Sequence, residues 1–214
     1  MRIDRRFCGP PDSGNGGVTC GLLAVYVDAP EVEVTLRRPP PLDKDLRVED
    51  GQLYDGEHLV AAAHASAVQL EAPPMVPLAE AVAAAERYPG RTDHPFPTCF
   101  VCGIDREAPD ALGLRPGPVG GGVVAAVWTP TEDADFLLWA ALDCPGGWST
   151  IVPGRPMVLG RMTLERRGAP AVGVPHVVQG WTLSTEGRKS FTGSALYAPD
   201  GQVLAVASQV WIAV

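Results

Sequence analysis

The sequence predicts an α+β chain built from two copies of one unit, each a helix followed by antiparallel strands. Three observations predict it. Short apolar segments with period-two alternation recur in both halves, punctuated by Gly and Pro, as strands and their turns require. Two other segments, 17–27 and about 135–143, are apolar on all sides, which suits a helix wrapped by a sheet. The order also repeats. YDGEHLVAAAHASAV in the first half lies against APDGQVLAVASQVWI in the second, so that Asp55-Gly56 matches Asp200-Gly201 and Leu59 matches Leu204. Upstream, VTLRR (Val34 to Arg38) resembles MTLERR (Met162 to Arg167). Self-similarity in one order argues for duplication, although an Asp-Gly hairpin before an apolar strand also arises by chance.

The elements follow in order. GPPDSGNGGVTCGLLAVYV (Gly9 to Val27) leads a glycine-rich loop into the first helix, 17–27. EVEVTLRR (31–38) alternates and reads as a strand, and 44–50 and 57–69 read as two more around a Tyr-Asp-Gly turn. PLAEAVAAAERY (77–88) is rich in Ala and Glu, with Pro77 placed to open a helix. The Pro-rich run PGRTDHPFP follows and marks the division into units 1–90 and 91–214. The second unit reads as strand 121–128, helix 135–143, then strands 157–166, 176–184, 190–198 and 202–213.

Composition narrows the function classes. At 46% hydrophobic and 20% charged, the chain can bury a core. A net charge of -8 with no basic patch argues against nucleic acid as a partner. No stretch reaches the ~20 apolar residues of a membrane span. MRIDRRFCGPP has basic residues but no apolar run behind them, so no secretory signal is read, and a cytoplasmic protein is expected. Five cysteines in no framework spacing fit reduced thiols. GxGxxG, P-loop and GxSxG motifs are absent.

Three segments resemble the hotdog-fold acyl-CoA thioesterases, and specifically double-hotdog chains in which two units are fused. Gly9 to Ala24 resembles the entry to that fold's central helix, CFVCGIDREAPDALGLRP (Cys99 to Pro116) its Cys-x-x-Cys-Gly … Gly-Leu opening, and Ala195 to Ile212 its closing hairpin and strand. The resemblance implies two fused units, each a central helix wrapped by an antiparallel β-sheet. It implies hydrolysis of an acyl-CoA or acyl-carrier thioester at a composite site between the units, and a homodimer of double-hotdog chains. The fold alone does not settle activity. A catalytically silent acyl-binding or small-ligand-binding protein is the alternative. A dehydratase is a third reading, for which no Asp and His near a helix are found.

The first four N–H groups of a helix lack intrahelical partners, and Gly16 and Gly17 bare theirs to a ligand oxygen. In the resembled family such donors hold the thioester oxyanion. Asn15 stands where many relatives have His, so it can orient substrate or water but cannot act as a base. The plainer alternative has Asp12 or Ser13 capping the helix while the glycines turn the chain. The family's helix acid, two turns beyond the second Gly, is Ala24 in the first unit but Asp143 in the second. There Phe136 replaces the Gly, and Glu132, Asp133 and Asp135 crowd the helix start. The halves are therefore complementary. Asn15, Gly16 and Gly17 with Asp143 as general base make one composite site, and the pseudo-equivalent site around Ala24 is dead. Alternatively, Asp143 ends its helix and caps the Cys-Pro-Gly-Gly turn.

Trp139 and Trp148 line either the core or an acyl pocket, and Trp139 is the candidate acyl contact. Arg188 and Lys189, at a hairpin turn, either are solvated or meet CoA phosphates. Cys99-x-x-Cys102 invites zinc, but a second ligand pair is missing and nothing in the spacing recruits His94 or Cys144. Buried thiols are therefore expected there, with no metal and no cofactor. Cys20 is near a helix start but has no evident His partner. His58 and His64 share one strand face and read as a polar edge.

Overall fold

The computed structural model describes residues 1–106, 109–151 and 154–214; Glu107 and Ala108 of the Cys99 to Pro116 motif lie outside the described residues. Among the described residues, ten strands form one antiparallel sheet in the order β2-β3-β4-β1-β7-β10-β9-β8-β6-β5. In the first half, β1 (Glu31–Leu36), β2 (Arg47–Glu49), β3 (Gln52–Asp55) and β4 (His58–Ala65) follow helix α1 (Gly16–Ala24). Helix α2 (Leu78–Ala84) comes next. In the second half, β5 (Gly117–Gly120) and β6 (Val123–Trp128) precede helix α3 (Asp135–Trp148). Strands β7 (Met157–Arg166), β8 (His176–Glu186), β9 (Lys189–Tyr197) and β10 (Val203–Ala213) close the chain.

The halves meet where β1 pairs with β7, and the register there is self-complementary. Val34 opposes Met162, Glu33 opposes Thr163 and Thr35 opposes Arg161. Because Val34 and Met162 begin the two similar segments VTLRR and MTLERR, this pairing puts a local two-fold through them, as a duplicated unit joined edge to edge requires. Alternate residues of the second-half strands then face opposite sides. Val124, Ala126, Val178, Leu196 and Ala207 join the main core with α1 and α3. Ala125, Val177, Ala195, Tyr197 and Val206 face a second cluster with Val68, Leu70, Met75 and Ala81. Residues 68–81, expected with the first unit, thus lie over the back of the second half's strands.

Both long helices are buried nearly all round, as their uniform apolarity predicts. They pack antiparallel through glycine. A Cβ at Gly17 would lie 2.6 Å from Asp143 Cβ, and one at Gly21 2.6 Å from Phe136 Cα. The glycines that open α1 therefore permit a close helix approach as well as a turn.

Several boundaries differ from the sequence reading. Helix α1 stops at Ala24, and Val25 and Tyr26 form an exposed turn. Strand β3 was hidden between two turns: Asp50 and Gly51 both have positive φ and close a two-residue hairpin between Glu49 and Gln52. Helix α3 does not end at Asp143 but continues through Pro145, Gly146 and Gly147 to Trp148. Proline offers no N–H to the preceding turn. Around this turn Ser194 Oγ and Gln209 Nε2 each donate to the Leu142 carbonyl at 2.7 Å. Gly146 and Gly180 make room for the sheet, since added Cβ atoms would fall within 1.6 Å of Gln209 and 2.1 Å of the Pro145 carbonyl. Asp143 is therefore inside a helix, and the reading that it caps a turn is corrected.

Candidate functional site

Asn15 is placed by its backbone and by both ends of its amide. Its N–H donates to the Phe7 carbonyl at 2.8 Å, and its Oδ1 accepts the Val18 N–H at 2.9 Å. Asn15 is thus the cap of α1, in place of Asp12 or Ser13. With Oδ1 so engaged, Nδ2 turns to Asp143 and donates to Oδ2 at 2.9 Å. The Gly17 N–H donates to the same oxygen at 3.0 Å. A carboxylate at a helix N-terminus also gains from the helix dipole. The structure thus brings Asn15, Gly17 and Asp143, from two helices, into direct hydrogen bonding.

Asp143 is only 1% exposed. Burial pushes its carboxyl up to about 7; the Gly17 N–H opposes this, Cys99 adds to it and the Asn15 amide opposes it. Its second oxygen, Oδ1, has no hydrogen-bond partner among the described residues. Asp143 lies on the wall of a cavity of about 480 Å³ lined mainly by apolar groups, including Phe96, Trp148, Met157, Leu159 and Trp211. Asn15 and Gly16 line the same cavity. The Gly16 N–H, unlike that of Gly17, makes no hydrogen bond among the described residues.

The remaining sequence candidates lie elsewhere. Trp139 packs in the α1–α3 contact and lines a second, smaller cleft of about 230 Å³ with Gly21, Ala24 and Asp135. This is where the pseudo-equivalent site was expected, and Asp135 there is paired with Arg166. Arg188 and Lys189 do not line the large cavity. Arg188 Nε donates to the Ala213 carbonyl at 3.0 Å, and Lys189 pairs with Ile212 in the sheet. The cations that do line the cavity are Arg37 and Arg38, exposed residues just after β1 that form no ion pair among the described residues. Sequence reading passed over them because two charges at a strand end look like ordinary solvated residues.

Cys20 is fully buried and does not line the large cavity, and burial, then the Asp143 carboxylate, push its thiol well above the ordinary value. His64 Nε2 lies 3.7 Å from Glu33 Oε1 on the exposed β1–β4 surface. The sequence reading also missed a cluster. Cys144, next to Asp143, has its sulfur 3.2 Å from Cys102 Sγ and 4.0 Å from Cys99 Sγ.

No family model matches the sequence, and no curated protein matches it significantly. Solved structures do match over nearly the whole chain. A protein provisionally assigned as a thioesterase II from Thermobifida fusca superposes with a TM-score of 0.63 at 12% identity, covering 100% of this chain and 91% of that one. A conserved protein of unknown function with a hot dog fold, from Alicyclobacillus acidocaldarius, gives 0.61 at 12% identity with the same coverage. The tesB protein of Mycobacterium avium subsp. paratuberculosis gives 0.59 at 12%, covering 94% and 87%. The ten-stranded sheet, its self-complementary β1–β7 seam and these full-length likenesses establish that the chain has the α+β double-hotdog fold.

Proposed function

We propose that the protein hydrolyses an acyl thioester, of CoA or of an acyl carrier, in the large cavity at the start of α1 and the end of α3. The observation that carries this reading is Asp143, a residue on the wall of an apolar cavity whose buried Oδ1 has no partner among the described residues. Buried polar atoms are nearly always hydrogen-bonded, so one left over calls for a water or a ligand. Oδ2, meanwhile, is fixed by Gly17 and Asn15, which aligns the carboxylate. Asp143 then takes a proton from a water as that water attacks the thioester carbonyl. The Gly16 N–H stabilises the oxyanion. The tetrahedral species collapses by breaking the C–S bond, and the leaving thiolate recovers the proton. Apolar walls receive the acyl chain, and Arg37 and Arg38 supply cations for phosphates of CoA or of a carrier's prosthetic arm. The names of the two structural neighbours given as thioesterase II and tesB agree with this reaction.

One observation favours a second reading. Asn15 and Gly17, expected to meet the substrate, are engaged by Asp143, which leaves fewer donors for a carbonyl. A silent acyl-binding protein keeps the cavity and needs no turnover. Thiol release from short, long and aromatic acyl-CoA esters separates the two. The wild type is expected to turn over, and Asp143→Asn to lose about 10²–10⁴-fold in kcat. Equal turnover in the variant removes Asp143 from the chemistry. Saturable acyl-CoA binding by the wild type without turnover establishes the second reading.

A further inference from the structure

We propose that Cys99, Cys102 and Cys144 bind one zinc ion at the inner wall of the cavity, beside the Asp143 carboxylate. The three sulfurs lie within 4.8 Å of one another and all three residues are buried. Three thiolates on a tetrahedral zinc at about 2.3 Å each stand about 3.8 Å apart. The Cys102–Cys144 and Cys99–Cys144 separations, 3.2 and 4.0 Å, bracket that value. The sulfurs already converge, so loading the ion asks for adjustments of about an ångström or less.

The sulfurs are held in place by their neighbours. The Asn15 amide N–H approaches Cys99 Sγ at 3.8 Å, and the Trp148 indole N–H donates to Cys102 Sγ at 3.4 Å. The turn that carries Cys99 and Cys102 needs Gly103, because a Cβ there would lie 2.4 Å from the Pro97 carbonyl and 2.5 Å from the Cys99 nitrogen. Gly103 N–H closes it on the Cys99 carbonyl at 2.9 Å. Three converging sulfur ligands suit a soft divalent ion.

His94 does not complete the set. Its Nδ1 accepts the Phe96 N–H at 3.0 Å, and its Nε2 sits 3.1 Å from the Cys102 carbonyl. All three cysteines line the cavity, so a fourth ligand comes from there, as water or as a bound group. Three protein ligands with one position open to a cavity is the pattern of reactive rather than purely structural zinc. A disulfide is the competing fate of the pair Cys102–Cys144. It needs the sulfurs to close from 3.2 Å to about 2.05 Å and strands Cys99.

Metal content tests this without substrate, so the result stands apart from hydrolysis. Protein purified reduced, without chelators, and incubated with Zn²⁺ then desalted is expected to hold one equivalent by elemental analysis. Co²⁺ in its place is expected to give thiolate-to-cobalt charge-transfer absorption and tetrahedral d–d bands. Cys144→Ser is expected to lose zinc to a competing chelator about tenfold or more readily, and Trp148→Phe to weaken binding about tenfold. Cys20→Ser, whose sulfur lies outside the cluster, keeps its zinc. Folded, reduced wild type that takes up neither metal overturns the proposal. So does full zinc retention by Cys144→Ser, or a native protein lighter by two hydrogens with Cys102 joined to Cys144.

Discussion

Asn15 joins three parts of the molecule through one side chain and one N–H. Its Oδ1 caps α1, its Nδ2 holds Asp143, and its backbone ties the helix start to Phe7. Loss of a cap costs about 0.5–2 kcal/mol. Leaving a buried acceptor short of a partner costs about 1–3 kcal/mol. Asn15→Ala is therefore expected to lose about 2–4 kcal/mol, which calorimetry reads as a Tm fall of roughly 5–15 °C for a chain of this size. Asn15→Ser keeps a capping oxygen and is expected to recover about 1 kcal/mol. Asn15, Gly17 and Asp143 were legible because their signals are local: glycines at a helix start, and a lone acid in an apolar helix. Cys144 was not, because its partners lie 42 and 45 residues away and no spacing rule connects them. Trp139 lines the smaller cleft and not the large cavity, for a related reason. Its place on the helix was readable, but the direction it faces depends on how α1 and α3 cross.

At the level of elements, period-two alternation placed the long strands of the second half within a residue or two, because each is buried on at least one face. The short β3 and β5 carry too few residues to show a period, and turn residues masked both. Helix α3 was cut short because Pro-Gly-Gly normally ends a helix. Here Ser194 and Gln209 fasten the turn before Pro145 to the sheet through the Leu142 carbonyl. The crossing of α1 and α3 rests on glycine in the same way. Alanine is the better helix former by about 1 kcal/mol. At position 21, however, its Cβ would meet Phe136 Cα at 2.6 Å and Trp139 Cβ at 3.1 Å. Overpacking of this kind costs about 1–3 kcal/mol, so Gly21→Ala is expected to be destabilising on balance. Urea unfolding checks this by a lower midpoint at unchanged m, whereas a rise in midpoint shows that the helices separate freely.

In the whole molecule, the halves are joined by the β1–β7 seam within the sheet, by the α1–α3 contact with its hydrogen bonds to Asp143, and by the segment 68–81 laid over the back of the sheet. The seam joins the two similar segments VTLRR and MTLERR, a pairing that their likeness alone does not specify. The back-face cover was not readable either, because an Ala-rich segment shows no sign of which sheet it will cover. The back-face segment is fastened by polar groups at buried positions. Gln179 on β8 accepts the Val76 N–H at 2.6 Å and donates to the Pro74 carbonyl at 3.3 Å. Tyr197 on β9 donates to the Pro73 carbonyl at 2.6 Å. Gln179 is fully buried, so Gln179→Leu keeps the volume but leaves two backbone groups without partners. Each such loss costs about 1–3 kcal/mol, unless the segment lifts and lets water in. Lifting is the cheaper response, because the segment adds a face to the sheet without building the helix-side core. Gln179→Leu is therefore expected to speed amide hydrogen exchange at Val76 and its neighbours by about tenfold or more, while protection in α1 and α3 is unchanged. Acyl-CoA binding in the cavity on the other face is expected to be unaffected. Equal loss of protection in the helices would show instead that the covering segment and the core open together.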